Sequence, residues 1–192
     1  MIKKTEQDLI EPYLVDASNF RGNAEVLYVP ENTDELKEAV QECYNTNTPI
    51  SISGAGTGLT GSRVPLSGAV ISMERMNKIL SINTDEKTAK VQPAVLYTEL
   101  ENEIKPLNYF YPPNPTEKNS SLGGNVATNA SGARTFKYGA SRQFIESLNI
   151  MFADGDELFL QRGEYFANGN QLNIKSQSGK IYSIPLPRII MP

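Results

Sequence analysis

The sequence of 192 residues contains no histidine and only one cysteine, Cys43. Histidine is the commonest general base and a common zinc ligand, so its absence excludes Ser-His and Cys-His nucleophile pairs and the usual zinc sites. A single cysteine excludes an internal disulfide. Because Cys43 lies on the apolar face of a predicted helix, we interpret it as a small buried hydrophobic residue. Any chemistry must come largely from a cofactor or from groups outside this chain.

Charge and hydropathy argue against two further classes of partner. The 18 basic and 22 acidic residues give a net charge of −4, with no Lys/Arg cluster, so nucleic acid and anionic membranes are poor partners. The apolar runs are too short to span a bilayer, and the amino terminus MIKKTEQDLIEPYL lacks the apolar core of a signal peptide. The sequence therefore predicts no membrane-spanning segment and, by default, a cytoplasmic protein.

The amino-terminal part has the pattern of a βαβ unit. Strands are predicted at residues 26–30 (VLYVP) and 49–53 (PISIS), and the helix between them has apolar residues at 3.6-residue spacing. Asn32 followed by Glu35 has the spacing of a helix capping box. Such units are parallel and right-handed, so the segment after residue 53 leaves the carboxyl end of a parallel strand. Open α/β sheets bind their ligands at that edge.

The rest of the chain favours short antiparallel strands. Strands are predicted at 69–72, 79–83 and 88–93, a short helix at 97–104, and hairpins around Asp154-Gly155 and Ser178-Gly179. A long irregular stretch rich in Pro, Asn, Ser and Gly separates the helix from the hairpins. The predicted fold class is α+β, with a small parallel βαβ subdomain at about residues 22–75 and a mixed or antiparallel β region at about 76–192.

The segment SGAGTGLTGSRVPLSG, residues 53–68, concentrates glycines between two strands. It matches G-x-G-x-x-G, but Pro65 and Gly68 argue against the helix that a Rossmann fingerprint must open. It also lacks the lysine of a nucleotide-binding P-loop, so we reject an NTPase. What remains is a loop whose successive N–H groups can form an anion-binding nest, aided by the hydroxyls of Thr57, Thr60 and Ser62. The alternative is a long glycine turn that binds nothing.

A second segment, SSLGGNVATNASG at residues 120–132, is also rich in small hydrogen-bonding residues. Its glycines allow close backbone approach, and its Asn, Thr and Ser side chains supply polar groups. The alternative is a surface loop with a short helix. Two such segments together suggest a large ligand that contains a polyphosphate and lies in an extended cleft.

The two segments together resemble the FAD-binding fold of the vanillyl-alcohol oxidase superfamily. The closest resemblance is to the branch of D-lactate dehydrogenases, D-2-hydroxyglutarate dehydrogenases and the FAD subunit of glycolate oxidase. The motifs of that branch occur in order over about residues 15–160, as SGAGTGLTG, MERMNKIL, VQPAV, PPNPTEKNSSLGGNVATNASGARTFKYG and LNIMFADGDEL. The string GGNVATNASG with a matched glycine loop is specific to this family.

The resemblance implies FAD as cofactor, lying between the two subdomains, and a set of residues that contact it. The residues that would wrap the pyrophosphate are Gly54, Ala55, Gly56, Thr57, Gly58 and Leu59. Pro93 would end a strand near the isoalloxazine ring. The residues that would line the rest of the pyrophosphate site and the approach to the ring are Asn119, Ser120, Ser121, Leu122, Gly123, Gly124, Asn125, Thr128, Asn129, Ser131 and Gly132. No catalytic residue and no metal ligand is assigned in this chain.

Two departures from the family pattern affect the expected binding mode. Ser53 stands where the family commonly has arginine, which predicts the loss of a charge near the pyrophosphate. Thr57 lies at or next to the place where relatives with covalent flavin carry histidine, so the resemblance implies non-covalent FAD.

Family members continue well beyond this length, completing the FAD domain and adding a substrate-binding cap that holds catalytic histidines. We therefore expect residues 1–192 to be the amino-terminal part of an FAD-binding domain without the cap. The implied reaction is oxidation of a small 2-hydroxy acid by hydride transfer to flavin N5, with this chain inactive alone and able to self-associate through its apolar end, residues 181–192. The alternatives are a dehydrogenase of a sugar acid or lactone, and a fragment that binds no flavin.

Overall fold

The computed structural model describes residues 1–187 and contains two compact units, Met1–Phe144 and a unit that begins at Ile145. The boundary lies inside the region for which the sequence predicts antiparallel strands. In the described range, no helix is long and apolar enough to cross a membrane. The same range contains no group of three or more Cys, Asp or Glu side chains that could hold a metal ion.

The first unit is built on a four-stranded sheet. Its strands are β1 (Ile2–Lys4), β2 (Val26–Val29), β3 (Ile50–Ser53) and β4 (Ala69–Ser72), in the spatial order β1-β2-β4-β3. β2 and β3 both pair parallel with β4, and β1 pairs antiparallel with β2. All four residues of β4 are buried, as is typical of a central strand in a parallel sheet. The predicted parallel unit is confirmed, but β4 lies between its two strands.

A short amino-terminal helix, which the sequence analysis did not predict, contributes to the core beside this sheet. α1 (Gln7–Ile10) continues into a 3-10 turn at Glu11–Tyr13. Ile10 and Leu14 are buried and pack in one cluster with Ala24, Leu27, Val29 and Val70. Burial of a large apolar side chain stabilises a fold by about 1.5–3 kcal/mol. The amino-terminal segment is therefore an integral part of the first unit.

The helix of the βαβ unit, α2 (Thr33–Asn45), begins as predicted after Asn32. The Asn32 side chain accepts a hydrogen bond from the Glu35 N–H at 3.0 Å. The Glu35 carboxylate accepts from the N–H of Glu31 at 2.9 Å, so the cap closes one residue further out than in a capping box. Cys43 is 1% exposed, and burial raises the pKa of its thiol, in agreement with a structural role.

The remainder of the first unit contains the predicted antiparallel pair and short helix. β5 (Ile79–Asn83) pairs with β6 (Thr88–Val91), and the helices are α3 (Tyr97–Ile104), α4 (Leu122–Ala127) and α5 (Thr135–Tyr138). A second apolar cluster joins the start of α4 to α3 and consists of Val95, Tyr97, Leu100, Ile104 and Leu122. This cluster fixes the second glycine-containing segment against the chain that follows β6.

The second unit consists of the two predicted hairpins. They are β7 (Ser147–Met151) with β8 (Glu157–Gln161), and β9 (Gln171–Lys175) with β10 (Ile181–Pro185). Lys180 Nζ lies 2.7 Å from Asp154 Oδ2, and the Ser178 hydroxyl donates to Asp156 Oδ2 at 2.6 Å. The turn of the first hairpin is thus bonded to the turn of the second.

The segment expected to mediate self-association is only partly described, because residues 188–192 lie outside the described range. Within that range, Ile181 is 68% and Leu186 is 36% exposed. Self-association through this end stays a prediction.

The contacts of Asp156 predict a pH-dependent contribution to the stability of the second unit. The neighbouring Ser176 and Ser178 hydroxyls lower the pKa of Asp156 from its ordinary value of 3.8 to about 2. A carboxyl with a lowered folded-state pKa stabilises the fold above its unfolded-state pKa, and the contribution is lost as pH falls through the folded-state value. We therefore expect Asp156→Asn to unfold at a lower temperature than wild type at pH 7, with the difference closing between about pH 4 and pH 2.

Thermal unfolding followed by circular dichroism from pH 7 to pH 2 measures this difference. Asp85→Asn, which removes a carboxylate from the exposed turn between β5 and β6, is the control. A difference between wild type and Asp156→Asn that stays constant over the whole pH range would contradict the assignment.

Candidate functional site

The glycine loop follows β3 directly and returns the chain to the neighbouring strand β4. It therefore leaves the carboxyl end of a parallel strand, as predicted. Residues 54–68 contain no helix, which agrees with the rejection of a Rossmann fingerprint. Gly56 and Gly61 have φ of +74° and +71°, a backbone conformation that side chains disfavour, so these two positions require glycine.

The peptide groups of this loop are bonded on one side only. The carbonyl of Gly54 accepts from Arg63 Nη1 at 3.1 Å, and the carbonyl of Gly56 accepts from the N–H of Ala17 at 3.1 Å. Among the described residues, by contrast, no group accepts a hydrogen bond from a backbone N–H of residues 54–62. The loop therefore offers a series of unpaired donors, the arrangement that binds anions in backbone nests.

The second segment is held against the chain that follows β6. The Gly123 N–H donates to the Pro93 carbonyl at 2.8 Å, and the Leu122 N–H donates to the Val95 carbonyl at 2.8 Å. A β-carbon on Gly123 would lie 2.6 Å from the Pro93 side chain, so this contact has no space for a larger residue. Pro93 and the start of α4 thus form one rigid corner.

The two segments meet at the Ser121 side chain. A β-carbon on Gly54 would lie 2.6 Å from Ser121 Oγ, and one on Gly124 would lie 2.9 Å from the same atom. Ser121 is 4% exposed, and its hydroxyl has no hydrogen-bond partner among the described residues. Such a hydroxyl is free to donate to a ligand or to water. The structure therefore brings the glycine loop and the second segment together at a group of unpaired donors.

The donor set matches the ligand that the sequence implies. It consists of backbone N–H groups and a hydroxyl, which pair well with phosphate oxygens. The pyrophosphate of FAD is such an acceptor, and the glycines supply the close approach that it requires. Residues that would hold it are Gly54 to Leu59 on one side and Ser121 on the other.

The side chains of several other predicted site residues make hydrogen bonds within the protein. Asn125 donates to the Ser120 hydroxyl at 3.0 Å, Thr128 donates to the Gly124 carbonyl at 2.9 Å, and the Asn129 side chain accepts from the Arg142 N–H at 3.0 Å. These side-chain groups are used to hold the segment itself.

Gly132 meets the Asn114 carbonyl, which would lie 1.7 Å from an added β-carbon, so its backbone packs too closely for a side chain. Asn119 and Ser131 are exposed and donate or accept no side-chain hydrogen bond among the described residues. The first half of the second segment therefore meets the glycine loop, and much of the second half maintains the local structure.

Arg63 is a residue of the loop to which the sequence analysis assigned no role. Its Nη1 donates to Ser53 Oγ at 3.0 Å as well as to the Gly54 carbonyl. A charge therefore lies beside Ser53 although Ser53 itself has none, and the predicted loss of a charge near the pyrophosphate stays a prediction. One signal was available: Arg63 is the only charged residue between Pro49 and Met73.

Asp16 is a second residue that the sequence analysis missed. It is 8% exposed, and its Oδ2 atom is buried without a hydrogen-bond partner among the described residues. A β-carbon on Gly58 would lie 3.7 Å from that oxygen. Burial lowers the pKa of Arg63, and the charge of Asp16 opposes this effect. Arginine stays protonated in proteins, so a half-buried guanidinium lies behind the loop together with the buried Asp16 carboxyl.

Comparison with known proteins places this geometry in a family. The model of a family described as "FAD binding domain" matches residues 24–160. D-lactate dehydrogenase of Anaerostipes hadrus is 36% identical over 152 residues, which cover 78% of this chain and 32% of that protein. Glycolate oxidase subunit GlcD of Bacillus subtilis is 34% identical over 147 residues, which cover 75% of this chain and 31% of that protein. The chain thus spans about a third of the length of these relatives.

A solved structure shows the same fold. The crystal structure of 6-hydroxy-D-nicotine oxidase from Arthrobacter nicotinovorans superposes with a TM-score of 0.76 and 17% identity, covering 85% of this chain and 36% of that chain. The expected fold class, α+β with an FAD-binding fold of the vanillyl-alcohol oxidase type, is confirmed.

Proposed function

The chain belongs to the FAD binding domain family, and on that premise we propose that it holds non-covalent FAD in an oxidoreductase acting on a small 2-hydroxy acid. The observation that carries the proposal is that the glycine loop, whose N–H groups are unpaired among the described residues, meets the Ser121 side chain. In this arrangement, Gly54 to Leu59 wrap the pyrophosphate. Pro93 lies near the isoalloxazine ring, and the segment from Asn119 to Gly132 lines the remaining approach.

The residue types present indicate which part of the proposed reaction FAD would supply and which part this chain would supply. FAD supplies hydride acceptance at flavin N5 when it is bound. This chain binds the cofactor through backbone donors, orients it against the rigid corner of Pro93 and α4, and provides no histidine as proton acceptor. Groups that contact the substrate belong, in this proposal, to the part of the relatives that this chain does not match.

The proposed substrate class rests on the names of the two relatives. D-lactate and glycolate are both small 2-hydroxy acids, and both proteins match more than 70% of this chain. The alternatives are a sugar acid or lactone as substrate, or a chain that binds no flavin by itself. Titration of the purified chain with FAD, followed by flavin fluorescence and the visible spectrum, decides the last alternative. The absence of binding would overturn the proposed function.

Gly58 provides the sharpest test of the loop, because the protein itself leaves room for a side chain there. Its nearest neighbours would lie 3.7 and 3.9 Å from an added β-carbon, an ordinary contact distance. Gly58→Val should therefore keep the fold, but its side chain would lie against Asp16 and shift the loop N–H groups that the pyrophosphate requires. Insertion of a side chain into a close contact costs about 1–3 kcal/mol. We expect FAD affinity to fall at least about tenfold.

The control is Ser67→Val, which places the same side chain at an exposed position of the same connection. The unfolding temperature without FAD should be equal for both variants and wild type. Gly56→Ala is less informative, because a β-carbon there would lie 2.7 Å from the Arg63 guanidinium carbon. Unchanged FAD affinity in Gly58→Val would show that the loop is not the pyrophosphate site.

The cofactor should be released intact when the protein is denatured. No histidine is available for a covalent bond, and Cys43 is buried in α2. We expect acid precipitation of the FAD-loaded chain to leave all flavin in the supernatant. Flavin absorbance retained in the washed pellet would contradict non-covalent binding.

We expect the FAD-loaded chain of 192 residues to show no substrate-dependent flavin reduction. Two exposed carboxylates, Glu99 and Glu117, could in principle serve as a substitute base, but both accept local backbone hydrogen bonds. Glu99 accepts from the Leu96 N–H at 2.8 Å, and Glu117 accepts from the Asn119 N–H at 2.9 Å. The measurement is anaerobic bleaching of the flavin absorbance with D-lactate, glycolate or D-2-hydroxyglutarate. Bleaching at about 1 s⁻¹ or faster, a typical enzyme rate, would place the catalytic group within this chain.

A further inference from the structure

The Arg63 side chain connects the glycine loop to the amino-terminal segment. Its Nε donates to the Val15 carbonyl and its Nη2 donates to the Pro12 carbonyl, both at 2.9 Å. Its Nη1 donates to Ser53 Oγ and to the Gly54 carbonyl. One guanidinium thus bonds the end of β3, the first residue of the loop and the turn after α1. Arginine can do this because its donors are arranged in a rigid planar fork.

These contacts determine which groups of the loop remain unpaired. Arg63 holds the Gly54 carbonyl, and the Gly56 backbone lies against the guanidinium, since a β-carbon there would lie 2.7 Å from Cζ. The carbonyl of Gly56, two residues further on, accepts from the Ala17 N–H. With these carbonyls bonded to the protein, the N–H groups of the loop are left for a ligand. Arg63 therefore helps to set the orientation of the loop peptide groups, because it binds the Gly54 carbonyl on one side of the loop.

The charge of Arg63 matters as well, because Asp16 lies behind the same loop. The buried Asp16 Oδ2 has no hydrogen-bond donor among the described residues and lies near Gly58. An unbalanced carboxylate at this place would repel a pyrophosphate, since charges interact strongly where water is excluded. Electrostatic interaction between Asp16 and Arg63 favours the charged guanidinium despite its burial.

We propose that Arg63 is the positioning residue of the glycine loop: it directs the loop N–H groups towards the FAD pyrophosphate and offsets the charge of Asp16. This inference rests on the proposed function, because it assigns a role within the same site. Arg63 lies behind the loop and acts through the backbone. Arg63 belongs to the loop in sequence, and its charge lies next to Ser53, which carries no charge of its own.

The test measures the affinities of the full chain for FAD and for ADP, which carries a diphosphate without the flavin. Arg63→Met should weaken binding of both by about 10- to 100-fold, the factor for loss of a hydrogen bond from a charged group. Arg63→Lys keeps the charge but lacks the fork, so it should still bind both ligands at least about threefold more weakly than wild type. Wild-type affinity for ADP in Arg63→Met, or full recovery in Arg63→Lys, overturns the proposal.

The double variant separates the charge of Arg63 from its role in packing. Asp16→Asn should leave affinity unchanged or higher in the wild-type background. In the Arg63→Met background, Asp16→Asn should raise the affinity about three- to tenfold above that of Arg63→Met, because the unbalanced carboxylate is removed. A purely structural role for Arg63 would make the double variant no better than Arg63→Met, and this result overturns the charge offset.

The control is Arg75→Met, which removes an exposed arginine paired with Glu31. It should leave both affinities unchanged. Amide NMR spectra without ligand report whether each variant is folded. If Arg63→Met is unfolded, Arg63→Gln, which also removes the charge, replaces it with and without Asp16→Asn.

The two ligands also separate this inference from the proposed function. A wild-type chain that binds ADP but not FAD overturns the proposed function and leaves the comparison of Arg63 variants with ADP intact. A wild-type chain that binds neither overturns both.

Discussion

The site depends on the way in which the peptide groups of the glycine loop are turned. The carbonyls of Gly54 and Gly56 are bonded to Arg63 and Ala17, so the N–H groups of residues 54–62 are left without partners among the described residues. A loop bonded through its N–H groups would present carbonyl oxygens and would repel an anion. The same sequence of glycines is therefore compatible with opposite ligands, and the contacts behind the loop decide between them.

Close packing shapes the part of the site that the second segment contributes. Ser121 fits between the glycine loop and α4 only because Gly54 and Gly124 have no side chains. Gly123 meets Pro93 in the same way. Such contacts leave backbone and small hydroxyl groups as the binding surface, without acids, bases or metal ligands. A surface of this kind can hold and orient a cofactor, which is the role proposed for this chain.

Removing the half-buried Arg63 guanidinium and the buried Asp16 carboxyl from water is costly, and the attraction between such groups often adds little to stability. Arg63 compensates through four hydrogen bonds, to Pro12, Val15, Ser53 and Gly54. These bonds tie the turn after α1 to the loop. The amino-terminal segment therefore belongs to the site as much as to the core. This chain spans about a third of its relatives' length and contains the elements that shape the proposed pyrophosphate region.

Local patterns in the sequence determined the elements and the family. Hydrophobic periodicity and turn residues were sufficient for β2 to β10, α2 and α3, because these signals act over a few residues. The sequence did not predict α1, because four residues are too few to show helical periodicity. Tertiary structure alone decided the rest, namely the position of β4 between β2 and β3, the meeting of Gly54 with Ser121, and the placement of Arg63. These contacts join residues far apart in the chain, and steric fit and hydrogen bonding across the fold, which no local pattern encodes, select them.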